Sequence, residues 1–328
     1  MADTRKALFI NFGGIGDEVL FLPTLQSFKK KFPEAEITLA LEPSSKSIKD
    51  LSPLIDSLLP LNIKSKNKYF ELLKLVSEAR KGHFDLVISS GGNKFISILL
   101  FLTGIKTRIG FDTGALSQKL LTHAVPLIKN RYAAEMYHEL VKPLTQDEAG
   151  LPIIETEKQE IEANTVVIHP GVSKMSVSKN MVKTYSPEKW TELINKLIEK
   201  GKKIYLAGGP DDKEYIDAIS ENFTENSNFI NYYGKTKNIM DLAKLIASKE
   251  VLICCDSAPM HIGIAVGAKV LAIFGPTDEK KLIPNSEKII AIKNNSCTCR
   301  PCLWDKRSTT CDTLECLNID TDEFLKYL

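Results

Sequence analysis

An α/β protein made of two doubly wound parallel-sheet domains is the architecture this sequence predicts, on three observations. Short apolar runs alternate with amphipathic segments along nearly the whole chain, and glycine or small-residue turns join several of them. The alternation is interrupted once, by a polar and acidic stretch from Thr145 to Thr165 that contains Gly150, Pro152 and the run Glu155 to Glu162. A chain of 328 residues accommodates two domains at roughly 100–200 residues each. The expected division is residues 1–155 and 156–328.

The first half opens on Ala7-Leu8-Phe9-Ile10, too short and apolar for anything but a buried strand. Gly13-Gly14-Ile15-Gly16 forms a turn, after which Val19, Leu20, Leu25 and Phe28 recur at helical spacing until Pro33 stops them. Ile37 to Leu41 is the next strand, Tyr69 to Ala79 a helix, Leu86 to Ile88 a strand and Lys94 to Leu102 a helix. The second half repeats the scheme. Strands are expected at 166–168, 203–207, 251–254 and 270–274, and helices at 187–200, 214–221, 239–247 and 259–266. Two such domains place a ligand cleft at the carboxyl ends of their strands, where the domains face each other.

Composition excludes several classes. Lys+Arg 43 against Asp+Glu 41 and 43% hydrophobic residues rule out a disordered or collagen-like chain and give no global field for nucleic acid. The apolar run after Met1 to Lys6 is too short for a signal peptide, and Phe95 to Ile105 falls short of the ~20 residues that span a bilayer. The expected location is cytoplasmic, where seven cysteines read as buried or metal-binding thiols rather than as disulfides.

Three strand-to-helix turns carry candidate chemistry. Gly13, Gly14 and Gly16 precede Asp17 at a helix start, where backbone N–H groups can meet an anion or a sugar hydroxyl. Asp17 reads either as a complement to the helix dipole or as a general base. The spacing is not GxGxxG and no acidic residue ends the second strand, which counts against a dinucleotide enzyme. After the strand at 166–168 come His169-Pro170-Gly171 and a lysine series, Lys174, Lys179 and Lys183, suited to phosphate oxygens. His169 reads more readily as a structural histidine. The third turn is Cys255-Asp256-Ser257-Ala258-Pro259-Met260-His261, in which Ser257 is a natural N-cap and Pro259 suits the first helical turn. The same helix start can cradle a diphosphate. No GxSxG elbow accompanies it, so a Ser-His-Asp hydrolase is excluded. Near the end, Cys299, Cys302, Cys311 and Cys316 form an imperfect four-thiolate pattern that suits a structural zinc or another clip of the tail.

Taken together, Gly13-Gly14-Ile15-Gly16-Asp17, Arg108-Ile109-Gly110-Phe111, His169-Pro170-Gly171, Ala207-Gly208-Gly209-Pro210, Asp256-Ser257-Ala258-Pro259-Met260-His261 and Phe274-Gly275-Pro276-Thr277 resemble glycosyltransferase family 9, the ADP-heptose lipopolysaccharide heptosyltransferases. The resemblance covers nearly the whole chain. It implies a GT-B fold, with two Rossmann-like domains facing each other across a cleft, and inverting transfer from an ADP-sugar without cofactor or catalytic metal. Its acceptor would be lipid-linked or a core oligosaccharide, met at the cytoplasmic face of the inner membrane. By position, the resemblance makes Asp17 the general base, Lys183 a diphosphate contact, and Asp256, Ser257, Ala258 and His261 the donor-binding helix start. Met260 would lie near the base and Glu214 near the ribose. The chain departs from the family at Ala258, where glycine is usual, and after Lys183, which leaves Lys179 a rival for the phosphate. A non-catalytic nucleotide-sugar binding protein and a zinc-dependent interaction module are the competing readings.

Overall fold

The computed structural model describes residues 4–171, 181–303, 311 and 313–328. It divides into two compact units, Met1–Ile153 and Ile154–Leu328. Each is built on a parallel six-stranded sheet.

In the first unit the strands are β1 (Lys6–Ile10), β2 (Glu36–Leu41), β3 (Ser57–Pro60), β4 (Leu86–Ser89), β5 (Thr107–Phe111) and β6 (His123–Val125), ordered β3-β2-β1-β4-β5-β6. This is the doubly wound order, with its switch point between β1 and β4. The helices are α1 (Ile15–Lys31), α2 (Ile48–Leu51), α3 (Lys68–Lys81), α4 (Phe95–Leu102), α5 (Ala115–Leu120) and α6 (Ala133–His138). Side chains alternate across β1 as a period of two requires. Leu8 and Ile10 join Leu75 and Ala79 of α3 and Leu99 and Leu100 of α4 in one apolar cluster. Phe9 turns the other way and meets Phe21 and Phe28 of α1 edge-on, at ring separations of 6.0 and 5.0 Å.

The second unit contains β7 (Glu162–His169), β8 (Lys203–Leu206), β9 (Phe229–Asn231), β10 (Lys249–Cys255), β11 (Lys269–Ile273) and β12 (Ile289–Ile292), ordered β12-β11-β10-β7-β8-β9. The topology is the same, with the switch point between β7 and β10. Its principal helices are α7 (Pro187–Glu199), α8 (Lys213–Ser220), α9 (Ile239–Ala247) and α10 (Ala258–Ala265). Fully buried Trp190 anchors α7 in a cluster with Val166, Ile168, Val251 and Ile253. Gly263 lets α10 lie close to the sheet, since a Cβ there would come within 2.7 Å of Leu252 Cδ2 and 2.9 Å of Val270 Cγ2. The two cysteines at the end of β10 are completely buried core residues, as their apolar setting predicts.

The acidic stretch is less of a linker than its composition suggests. Ile154 is buried and its N–H donates to the Ala265 carbonyl, and β7 already begins at Glu162. The Glu162 carboxylate accepts from Lys249, Tyr205 and Lys203, which hold it at about 2, so acidity at this strand end is neutralised by the neighbouring strands. The five short strands β3, β5, β6, β9 and β12 carry no periodicity strong enough to stand out in the sequence. Their ladders with stronger neighbours define them.

Candidate functional site

Both doubly wound sheets put their switch-point turns where the sequence places its chemistry. In the first unit, the Asp17 carboxylate Oδ2 accepts the Gly14 N–H at 2.8 Å, closing the first turn of α1. Asp17 therefore does serve the helix start. Its side chain is nevertheless only half-buried, at the carboxyl edge of the sheet. Gly13 is needed for room rather than for an unusual φ, because a Cβ there would lie 2.2 Å from Asp17 Cβ.

Sequence reasoning passed over the residues behind Asp17. Glu18 is buried, and Asn11 Nδ2 donates to Glu18 Oε2 at 3.1 Å and to the Asp17 carbonyl at 3.3 Å. Ser90, just after β4, donates its hydroxyl to Asn11 Oδ1 at 2.6 Å, so the two strands of the switch point are tied together beneath the turn. Burial pushes the Glu18 carboxyl well above the usual range, with the Asn11 hydrogen bond opposing and the Asp17 charge adding to it. Burial, then the charges of Asp17 and Glu18, raise the Tyr137 hydroxyl as well, which places α6 beside this pair. The one signal available in the sequence was an acidic residue inside an apolar helical pattern, at Glu18.

A pH dependence follows. A carboxyl whose folded pKa is raised contributes most below its unfolded value and loses that contribution as pH rises through the folded value. Glu18→Gln keeps an acceptor for Asn11 and cannot ionise. Its melting temperature should match the wild type near pH 4 and exceed it by a growing margin toward pH 8, as read in a melting series across that range.

In the second unit, Lys183 Nζ lies 2.9 Å from Asp256 Oδ2, with both side chains largely buried. Asp256 follows β10, and the paired register Cys254↔His169 sets it next to the His169-Pro170-Gly171 turn that follows β7. The Pro170 carbonyl accepts the Thr184 hydroxyl at 2.7 Å, and Thr184 in turn accepts the Trp190 indole N–H at 3.0 Å. Lys183 is thereby fixed from both sides, by its own neighbour and by its ion-pair partner. His169 is buried, with Nε2 3.9 Å from Asp212 Oδ2, and burial lowers its pKa against the pull of Asp212. A neutral, structural imidazole is the result. Gly171 has no room for a side chain, since a Cβ would fall 2.0 Å from Asp212 Oδ1. Gly171→Ala should lower the melting temperature and displace Asp212 from the Gly209 N–H that it holds at 2.8 Å; a melting curve checks the first and a crystal structure the second.

Ser257 occupies the N-cap of α10 but does not cap it. Its hydroxyl donates instead to the Cys255 carbonyl at 3.4 Å. Ala258 is half-buried at that start and His261 is buried one turn on. Met260 is completely buried on a helix that Gly263 lets approach the sheet closely. Glu214 is exposed in the first turn of α8. Lys174 and Lys179 lie outside the described residues.

Within the span of the expected four-thiolate set, Cys299, Cys302, Cys311 and Cys316, residues 304–310 and 312 lie outside the described residues. Cys297, absent from that set, has its sulfur 3.3 Å from that of Cys299, while Cys311 contacts the Thr313 hydroxyl. Burial, then the neighbouring sulfurs of Cys297, Cys302, Cys299 and Cys311, pushes Cys316 up to about 11. No group of three or more His, Cys, Asp or Glu poised to hold a metal ion is found among the described residues. The tail does act as a brace. Arg300 donates to the Gly275 and Thr277 carbonyls and to Glu279, and Cys302 N–H donates to the Pro276 carbonyl. Gly275 lies so close to Leu317 that a Cβ would meet it at 2.7 Å. The turn after β11, part of the carboxyl edge that carries Asp256, is therefore held in place by the chain's last segment.

The model of glycosyltransferase family 9 (heptosyltransferase) matches residues 72–311. Lipopolysaccharide heptosyltransferase 3 of Escherichia coli K12 is 26% identical over 297 residues, covering 84% of each chain. Among solved structures, the E. coli ADP-heptose lipopolysaccharide heptosyltransferase II superposes with a TM-score of 0.70 at 18% identity, over 98% of each chain. The E. coli heptosyltransferase WaaC with ADP-2-deoxy-2-fluoro heptose gives 0.67 at 19%, over 87% of this chain and 92% of that one. The fold they share with this chain is GT-B.

Proposed function

Because this chain belongs to glycosyltransferase family 9 (heptosyltransferase) and is a glycosyltransferase, we propose that it moves a heptose or related sugar from an ADP-sugar to a lipopolysaccharide core or other lipid-linked acceptor, inverting the anomeric centre without a metal. The observation that carries this reading is the Lys183–Asp256 pair set beside the α10 start, where the Ser257 side chain makes no capping hydrogen bond. An ammonium has three donors and Asp256 occupies one, so the others can take diphosphate oxygens. Backbone N–H groups and the helix dipole add positive potential at the same place.

Asp17 then takes the proton of the acceptor hydroxyl as that oxygen attacks the anomeric carbon, while the bond to the diphosphate breaks on the opposite side. Negative charge grows on the leaving diphosphate, and groups already fixed toward it lower the barrier most. Burial pushes the Glu18 carboxyl well above the usual carboxylate range, and Asn11 links it to the Asp17 backbone behind the turn. The second unit is assigned the donor and the first the acceptor.

Thermal shift with ADP, GDP, UDP, CMP and NAD at matched concentration tests the donor assignment. A ligand at about 100 times its dissociation constant adds about 2.7 kcal/mol of stability. ADP alone should produce the shift. A response to UDP or GDP instead overturns the ADP-sugar, and a response to NAD alone overturns the transferase reading of the site.

A further inference from the structure

A parallel sheet with helical returns places every helix start at the carboxyl edge of the strands. The starts of α1, α3 and α4 therefore share the edge that carries Asp17. Two of them expose aromatic side chains there. Tyr69, Phe70 and Leu73 in the first turns of α3 are 71%, 69% and 68% exposed, and Phe95 at the start of α4 is 62% exposed. Leu72 and Val76 of α3 and Ile96 of α4 pack into one cluster beneath them, so the two starts are neighbours. The segment after β6 extends the patch, since a Cβ on Gly92 would touch Leu127, and Ile128 beside it is exposed. Isolated surface hydrophobics are ordinary, but four large ones on adjacent helix starts are a patch.

The charges around it are mainly positive. Lys66, Lys68 and Lys74 flank the α3 residues, Lys94 precedes Phe95 and Lys129 follows Ile128, all of them exposed. Lys68 lies 5.0 Å from the Tyr69 ring centroid and Lys94 5.4 Å from that of Phe95. Glu71 is the acid within the α3 group, and Asp112 after β5 is already engaged by the Gly114 N–H, Ser117 and Gln118. Aromatic rings beneath a layer of lysines suit the boundary between acyl chains and anionic headgroups. A protein partner would more readily offer acids to a fixed subset of these lysines, and a second copy of this chain would bring the same positive charges against themselves.

We propose that this face of the first unit docks on an anionic lipid bilayer through the α3 and α4 starts, with Tyr69, Phe70, Leu73 and Phe95 inserting at the headgroup boundary and the lysines pairing with lipid phosphates. Docking there sets the Asp17 edge toward the membrane, the side from which a lipid-linked acceptor arrives; only that last consequence rests on the function proposed above. Docking itself needs neither donor nor catalysis.

The test is sedimentation of the full chain with vesicles of phosphatidylcholine alone or with about a third phosphatidylglycerol, in moderate salt. Wild type should bind the anionic vesicles at least tenfold more tightly. Tyr69→Ser, Phe70→Ser and Leu73→Ser together should lose that binding by at least tenfold, and so should Lys66→Glu, Lys68→Glu and Lys74→Glu together, with melting temperature and ADP shift unchanged because all six positions face solvent. Absent binding, binding indifferent to lipid charge or binding kept by either triple variant overturns the proposal. So does a concentration-dependent dimer that the apolar triple variant abolishes. A failed ADP shift with intact vesicle binding would instead count against the donor reading alone.

Discussion

Asp17→Asn should abolish sugar transfer, lowering the rate by about 10²–10⁴-fold, while leaving the fold and the ADP-induced thermal shift as they are. The asparagine oxygen can still accept the Gly14 N–H, now received at 2.8 Å, so the helix start survives. What disappears is the basic oxygen. A side chain that served only the helix start would be replaced by asparagine with almost no loss, since Asn caps as well as Asp. Measuring kcat beside the ADP shift therefore separates a base from a cap. It also separates an enzyme from a protein that binds the nucleotide sugar without turnover, because the wild type of such a protein would show no rate to lose.

Lys183→Ala should remove most of the ADP shift and also destabilise the unliganded protein. Asp256 is almost inaccessible, and deleting its partner leaves an uncompensated carboxylate in the second unit. Breaking a buried pair in this way costs at most about 3–5 kcal/mol. Asp256→Asn in the same background relieves that charge. The double variant should recover stability in a melting experiment but not the ADP shift, because the ammonium that meets the diphosphate is still missing. Recovery of both would move the phosphate contact away from Lys183.

Much of this protein is legible in its sequence, and the reason is periodicity. β1, α1, β2, α3, β4 and α4 follow from runs of Leu, Ile, Val and Phe repeating at strand or helix spacing, and α9 falls on the residues that its pattern specifies. The turn residues were equally readable, because glycine after a strand and serine before a helix have local physical reasons to be there. Asp17 and Asp256 stand at such turns, which is why local chemistry could single them out.

Tertiary structure alone decided the rest. Whether Ser257 caps its helix depends on where the Cys255 carbonyl lies, and how deeply Met260 is buried depends on how tightly Gly263 lets α10 approach β10 and β11. The tie from Glu18 through Asn11 to Ser90 joins residues about 80 positions apart, and the Lys183–Asp256 pair spans 73. No window along the chain contains both partners of such contacts. Periodicity along the chain specifies two doubly wound units and the turns at which chemistry could occur. Long-range packing determined which of those side chains are paired and which are buried, because burial and charge are set by neighbours that only the folded sheet brings together.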